Sequence, residues 1–261
     1  RVAIRRMLLT MKVYSEAMRS IIYFTGFCED CIHISDSADE KARYQGLIDF
    51  LIPIVKGYST DKAFDLCSMG VQIYGGYGYT KEFPQEQLLR DVKITQIYEG
   101  TNGIQAMDLL SRKLSLNNGK AFKDIMDEIT KIIDAAKSIG RLEALALKLE
   151  ETLGKYQEVA AHMVNTVRSE KMMYAYASAY TFMEVTGETI VAWMLLWRAV
   201  IAARKLENGG RKNDTAFYEG QIMNARFFIS AFLPITLGKI NSIYANDGSV
   251  VDIADESFGG K

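Results

Sequence analysis

The chain has few of the residues that break helices or bind metals: 3 prolines, 3 cysteines and 2 histidines in 261 residues. Scarce proline leaves long stretches in which the helical hydrogen-bond ladder can run unbroken. No series of segments alternating with period two stands out, which excludes a mainly β fold. Three cysteines form no disulfide framework and point to a reducing compartment. A formal net charge of −1 excludes a dominant polyphosphate-binding surface, so no nucleic-acid partner is expected. Long apolar runs are missing too. The longest in the second half, Ile190 to Trp197, stops at Arg198 and resumes as Ala199 to Ala203, short of the roughly 20 residues that span a bilayer, so no transmembrane segment is expected. The start at Arg1 lacks the basic, apolar and small-residue regions of a signal peptide.

What the chain does have is hydrophobic content, 49%, spaced at three and four residues, which predicts an almost entirely helical protein. Ile4, Met7, Leu8, Met11, Tyr14, Met18, Ile21 and Ile22 share one face of a first helix expected to end between Asp30 and Asp39. A second helical region is expected from Lys41 to Tyr74, kinked at Pro53 and interrupted at Gly57-Tyr58-Ser59-Thr60, then stopped by Gly75-Gly76. Gln85 to Tyr98 and Ile104 to Leu114 complete a four-helix bundle, the last helix starting behind a Thr101-Asn102 cap.

Asn117-Asn118-Gly119 marks a boundary, dividing residues 1–116 from a second all-α domain over 120–246. That domain is expected to hold three long helices, Lys120 to Leu153, Lys155 to Leu206 and Asp214 to Ala245, separated by Gly154 and by Asn208-Gly209-Gly210. Residues 247–261 are expected to be a loosely ordered tail.

Two segments carry chemistry. Gln96-Ile-Tyr98-Glu99-Gly100-Thr101-Asn102-Gly103-Ile104-Gln105 places a carboxylate, Glu99, on a glycine-flanked turn, an arrangement suited to proton abstraction. Upstream lies Gln72-Ile-Tyr-Gly75-Gly76-Tyr-Gly78-Tyr79. Those glycines follow a helix rather than a strand, so a Rossmann or phosphate-loop assignment is unsupported. In content, order and separation the two segments resemble the C-terminal helical domain of the flavin-dependent acyl-CoA dehydrogenases, the likeness running from Arg1 to Leu114. The second half resembles, less specifically, the extra helical domain of a bacterial subgroup that includes methylmercaptopropionyl-CoA dehydrogenase-like enzymes.

The resemblance implies that Glu99 is the catalytic base of an acyl-CoA dehydrogenation, with FAD accepting the β-hydride. It implies Gln72, Gly75 and Gly76 as contacts to the flavin of a partner subunit, Thr101 and the Gly103 backbone as further flavin contacts, and Tyr98 and Gly100 beside the substrate. The expected partners are an acyl-CoA, an electron-transfer flavoprotein and further copies of the chain in a homodimer or larger homo-oligomer. The expected setting is the bacterial cytoplasm, with the membrane periphery as the other option. The chain begins inside a helical pattern, so it is expected to be the C-terminal part of a longer enzyme, inactive alone. A non-catalytic oligomerisation module and part of an acyl-CoA oxidase are the alternative readings.

For Glu99 to act as a base, a dry site must raise its basicity; Tyr98, Ile97 and Ile104 are the candidate apolar neighbours. Cys28-Glu-Asp-Cys31-Ile-His33 has the wrong spacing for haem and too few ligands for zinc, and is read as packed thiols, with no metal expected. Arg90-Asp91 is read as an ion pair, and Arg168 to Lys171 with Arg211-Lys212 as solvated surface. Trp193, Met194, Leu195, Trp197, Phe227, Phe228 and Phe232 are read as core or subunit-interface packing.

Overall fold

The computed structural model describes residues 1–209 and 212–259; Gly210, Arg211, the Lys212 side chain and the last two residues of the expected tail lie outside it. Helices are α1 (Val2–Ile34), α2 (Ala38–Pro53), α3 (Ser59–Tyr74), α4 (Gln85–Thr95), α5 (Asn102–Asp108), α6 (Lys120–Lys137), α7 (Glu143–Val167), α8 (Met172–Ala177), α9 (Ala179–Glu207), α10 (Thr215–Ala231), α11 (Leu233–Tyr244) and α12 (Ser249–Asp252). No strand occurs among the described residues, as the all-α reading requires.

In the first half the expected punctuation holds, with shifted limits. Ser37 caps α2 by accepting from the Glu40 N–H, which moves the start upstream of Lys41. At Pro53 the ladder widens into a π-helical segment, Ile54–Tyr58, because proline supplies no amide to the regular repeat. Ser59, just past that segment, donates its hydroxyl back to the Ile54 carbonyl at 3.2 Å. The helix expected to reach Tyr98 ends at Thr95, and α5 is followed by a second π segment, Leu109–Lys113.

The three long helices expected in the second half are in fact more numerous. Gly154 does not end a helix: α7 passes straight through it, since Leu149, Leu153 and Tyr156 keep one buried face continuous, outweighing the roughly 1 kcal/mol a helical glycine costs. The break comes earlier, between Lys137 and Glu143, and another at Arg168–Lys171, where Ser169 donates to the Thr166 carbonyl and accepts the Lys171 N–H. The last expected helix splits at Phe232, because Pro234 occupies the first turn of α11. Within the expected tail, Tyr174 donates to Asp252 and thereby ties α12 to α8.

Helix α9 runs through the centre, with Phe182, Val185, Ile190, Trp193, Leu196 and Ala203 fully buried. One continuous core joins it to α1, α2, α6, α7 and α10. Trp193 meets Phe24 edge-on at 5.2 Å and Tyr14 meets Phe228 at 5.4 Å, so the aromatic cluster of the second half packs against the first helix. Two stretches, Ala179–Glu207 and Thr215–Tyr244, are long and apolar enough to cross a membrane; 83% of the most apolar window of the first is buried inside the bundle, the placement of a core helix.

Candidate functional site

The Glu99 turn grows from the end of α4. The Ile97 and Tyr98 amides both donate to the Ile94 carbonyl, at 2.9 and 3.0 Å, closing the last helical turn. Two left-handed residues follow, Glu99 at φ 53° and Gly100 at φ 84°. Left-handed backbone is routine for glycine and unfavourable for glutamate. The turn then closes on itself, the Asn102 N–H donating to the Gln96 carbonyl at 3.1 Å. Thr101 caps α5, its hydroxyl accepting from the Ile104 N–H at 3.4 Å and its carbonyl from the Gln105 N–H at 3.0 Å.

Beneath the turn is a polar cluster that sequence reasoning missed. Asp61, in the first turn of α3, accepts from both Gln96 Nε2 and Asn102 Nδ2 at 2.7 Å. Asn102, only 4% exposed, also donates to the Gly57 carbonyl and to Thr60. Lys56 donates to Asn102 Oδ1 at 2.9 Å and to the carbonyl of Gly100. Burial pulls the Lys56 ammonium below its usual range, with Asp61 and Glu99 opposing. Tyr180, the second residue of α9, donates to the other oxygen of Asp61. The available signal was Asn102: one residue can serve as a cap neighbour and as a buried polar hub, but only the latter demands partners.

The Glu99 carboxylate takes no hydrogen bond or ion pair among the described residues, and its backbone N–H is likewise unspent. It faces outward with its neighbours: Ile97, Tyr98 and Ile104 are 51%, 50% and 54% exposed. These three side chains leave the turn open to solvent, because a turn projecting from a helix end has no wall of its own. Gly100 has little spare room on its inner side, where a Cβ would stand 3.2 Å from Gln105 Nε2. Gly103 lies exposed within α5.

Gln72, Gly75 and Gly76 are at the other end of the α3–α4 pair. Gly75 adopts φ 64°, ψ −143°, a conformation open almost only to glycine. Phe83 braces the turn between the rings of Tyr74 and Tyr77, at 6.0 and 5.3 Å, and Gln85 Nε2 donates back to the Cys67 carbonyl at 2.9 Å. Asp61 at one end of α3 and Gly75 at the other are separated by most of a 16-residue helix, about 20 Å. Within one chain the structure does not bring the glycine turn to Glu99. A Cβ at Gly75 or Gly76 would meet nothing within 4 Å.

Two further expectations resolve plainly. Cys28 and Cys31 are buried, and burial pushes the Cys28 thiol up to about 12, the behaviour of an inert packed thiol. Asp91 accepts from Gln87 Nε2 instead of pairing with Arg90; adjacent residues on a helix point apart, whereas positions four apart meet.

Comparison with known proteins finds two family matches along the chain. Residues 1–114 match the acyl-CoA dehydrogenase C-terminal domain, and residues 125–254 match the acetyl-CoA dehydrogenase C-terminal-like family. A broad-specificity linear acyl-CoA dehydrogenase of Mycobacterium tuberculosis is 28% identical over 98% of this chain and 43% of its own length. The 3-methylmercaptopropionyl-CoA dehydrogenase of Ruegeria pomeroyi is 33% identical over 88% of this chain and 38% of its own. Among solved structures, ACDH-11 of Caenorhabditis elegans in complex with C11-CoA superposes with a TM-score of 0.73 at 17% identity, over 96% of this chain and 40% of that one. An acyl-CoA dehydrogenase of Bacillus anthracis complexed with FAD gives 0.70 at 16%, over 97% and 43%. The chain thus spans about two fifths of the length of these relatives. Sequence matches along both halves and a shared helical architecture lead to one conclusion: the chain belongs to the acyl-CoA dehydrogenase family.

Proposed function

We propose that this chain is the base-bearing C-terminal part of an FAD-dependent acyl-CoA dehydrogenase, which introduces an α,β double bond into an acyl-CoA thioester. The observation that carries the proposal is Glu99, an unpaired carboxylate held in left-handed backbone on a closed turn. A strained, solvent-facing acid with no structural partner is poorly explained by stability alone. Its carboxylate removes the α-proton. The free N–H of Glu99 is available to the thioester oxygen, where negative charge develops. Gly100 leaves the approach clear, and Tyr98 flanks it.

The residues on the far turn suit a flat cofactor approaching from outside the chain: Gly75 and Gly76 present bare backbone with open space where a Cβ would stand, beside exposed Gln72. FAD, when bound, supplies the acceptor for the β-hydride. Gln72, Gly75 and Gly76, about 20 Å along α3 from the Glu99 end, would hold the FAD of a second copy, while Thr101 and Gly103 would face the FAD beside Glu99. This makes a homodimer or larger homo-oligomer part of the proposal. An electron-transfer flavoprotein as electron acceptor, a bacterial cytoplasmic setting and domain limits of 1–116 and 120–246 with a 247–261 tail belong to the same reading.

The test is anaerobic mixing of the full-length protein with a panel of acyl-CoA esters while flavin absorbance is followed. Bleaching by one chain-length class is the expected result. A full-length protein that neither holds nor takes up flavin would put the oligomerisation-module reading in its place.

A further inference from the structure

The Glu99 turn is fastened at both ends to one carboxylate. Gln96 and Asn102, the residues that bracket it, each donate a side-chain N–H to the same oxygen of Asp61, at 2.7 Å. The turn's backbone is closed between the same two residues, Asn102 N–H to Gln96 carbonyl, at 3.1 Å. The remaining oxygen of Asp61 is held from outside the first half of the chain, by the hydroxyl of Tyr180. We propose that Tyr180 is a positioning residue through which the second helical half sets the placement of the Glu99 turn, acting by way of Asp61. The inference rests on the function proposed above only in naming Glu99 as the base.

Tyr180 is 42% exposed, but the helix that carries it is anchored in the core. Tyr180 leads into the buried stretch of α9, where Phe182 and Met183 are fully enclosed. Met183 packs on Gly57, where a Cβ would stand 2.7 Å from Met183 Sδ; Gly57 in turn gives its carbonyl to Asn102. Helix α9 therefore touches the cluster twice, once by packing under Gly57 and once through the Tyr180 hydroxyl. Burial, with Asp61 next in effect, raises the Tyr180 phenol far above its usual range, so it stays a donor throughout physiological pH. The groups around Asp61 are mixed in sign: Lys56 lies across Asn102, while Asp65 and Glu184 also act on Tyr180. Asp61 orders all three of its donors, because hydrogen bonds to a carboxylate are about twice as strong as neutral ones. Two successive left-handed residues, Glu99 and Gly100, need such external restraint to hold one conformation.

Hydrogen exchange in the full-length protein, combined with steady-state kinetics on the acyl-CoA that bleaches the flavin, tests the proposal. Tyr180→Phe keeps the ring and removes the donor. The expected result is exchange of the Tyr98 and Asn102 amides about tenfold faster, the scale of one lost hydrogen bond to a charged group. The thermal midpoint should stay within about 2 °C, and kcat should fall about tenfold with KM unchanged. Asp61→Asn, which keeps the shape but loses the charge, should loosen the same amides further. Unchanged exchange in both variants would overturn the positioning role whatever the activity. Faster exchange in a protein whose flavin no acyl-CoA reduces would uphold the clamp and remove the dehydrogenase reading instead.

Discussion

Gly187 lies directly against the ring of Tyr58: a Cβ built at Gly187 would stand 2.3 Å from Tyr58 Cγ and 2.4 Å from Cδ2. Tyr58 ends the π-helical segment of the first half, Gly187 is on α9, and both are fully enclosed. The close approach of α9 to the first half depends on the missing side chain. Gly187→Ala is therefore expected to destabilise the protein by about 1–3 kcal/mol through overpacking, read as a lowered midpoint in denaturant unfolding. Gly154→Ala is the control. It is a helical glycine with nothing within 4 Å of a Cβ, so alanine there should raise stability by about 0.5–1 kcal/mol. Equal responses of the two variants would mean that the Tyr58 contact does not constrain α9.

Glu99 stands in conflict with its own backbone, and that conflict separates function from stability. Glu99→Gln preserves shape and is expected to keep flavin in the full-length protein while abolishing turnover. Glu99→Gly removes the left-handed penalty, about 1 kcal/mol, and should leave thermal stability equal or higher while also abolishing turnover. Near-normal turnover of Glu99→Gln would remove Glu99 as the base, and a marked loss of stability in Glu99→Gly would show that the side chain serves the fold.

These residues differ in how far the sequence exposes them. Helix content, the two glycine-flanked turns and the buried aromatic cluster follow from spacing and local chemistry, so they were legible from the sequence. Helix ends in the second half were not, because Gly154 and Gly75 look alike in sequence and differ in surroundings. Gly154 sits in a helix whose buried face continues on both sides, whereas Gly75 must adopt positive φ. Asp61 was equally invisible. It is one of 32 acidic residues, and its place under the Glu99 turn arises only when α3 and α4 pair antiparallel and α9 delivers Tyr180.

Gly76 gives a test of what lies outside the chain. Since a Cβ there meets nothing within 4 Å, Gly76→Val should leave the helical bundle folded, with a thermal midpoint within about 2 °C of the parent. If the Gly75-Gly76 turn meets the flavin of a second copy, the same variant should lose flavin or dissociate into smaller assemblies in the full-length protein. Flavin content and sedimentation check both. Full flavin occupancy and unchanged assembly would mean that this turn faces solvent.

The acid limb of stability should run through Glu16. Its carboxylate joins three helices: Lys12 on its own helix α1, Arg198 Nη2 of α9 at 3.1 Å, and Asn224 Nδ2 of α10 at 3.1 Å. Arg198 continues the link to Gln221 at 2.8 Å and Ser20 at 3.1 Å. Burial alone would raise this carboxyl, but the hydrogen bond and charge of Lys12, with Arg198, outweigh it and hold the group below its ordinary value of 4.5. A lowered folded-state value means that the charged form favours the fold. That contribution is complete above the ordinary value and disappears as pH falls through the lower one. Glu16→Gln should therefore reduce stability at neutral pH by roughly 1–2 kcal/mol. The gap between variant and parent should then shrink as the solution is acidified below the ordinary carboxyl range, where the parent's carboxyl is protonated as well. Denaturant melts of both proteins across that range decide the matter: a gap that stays constant on acidification would place the acid sensitivity on other carboxylates.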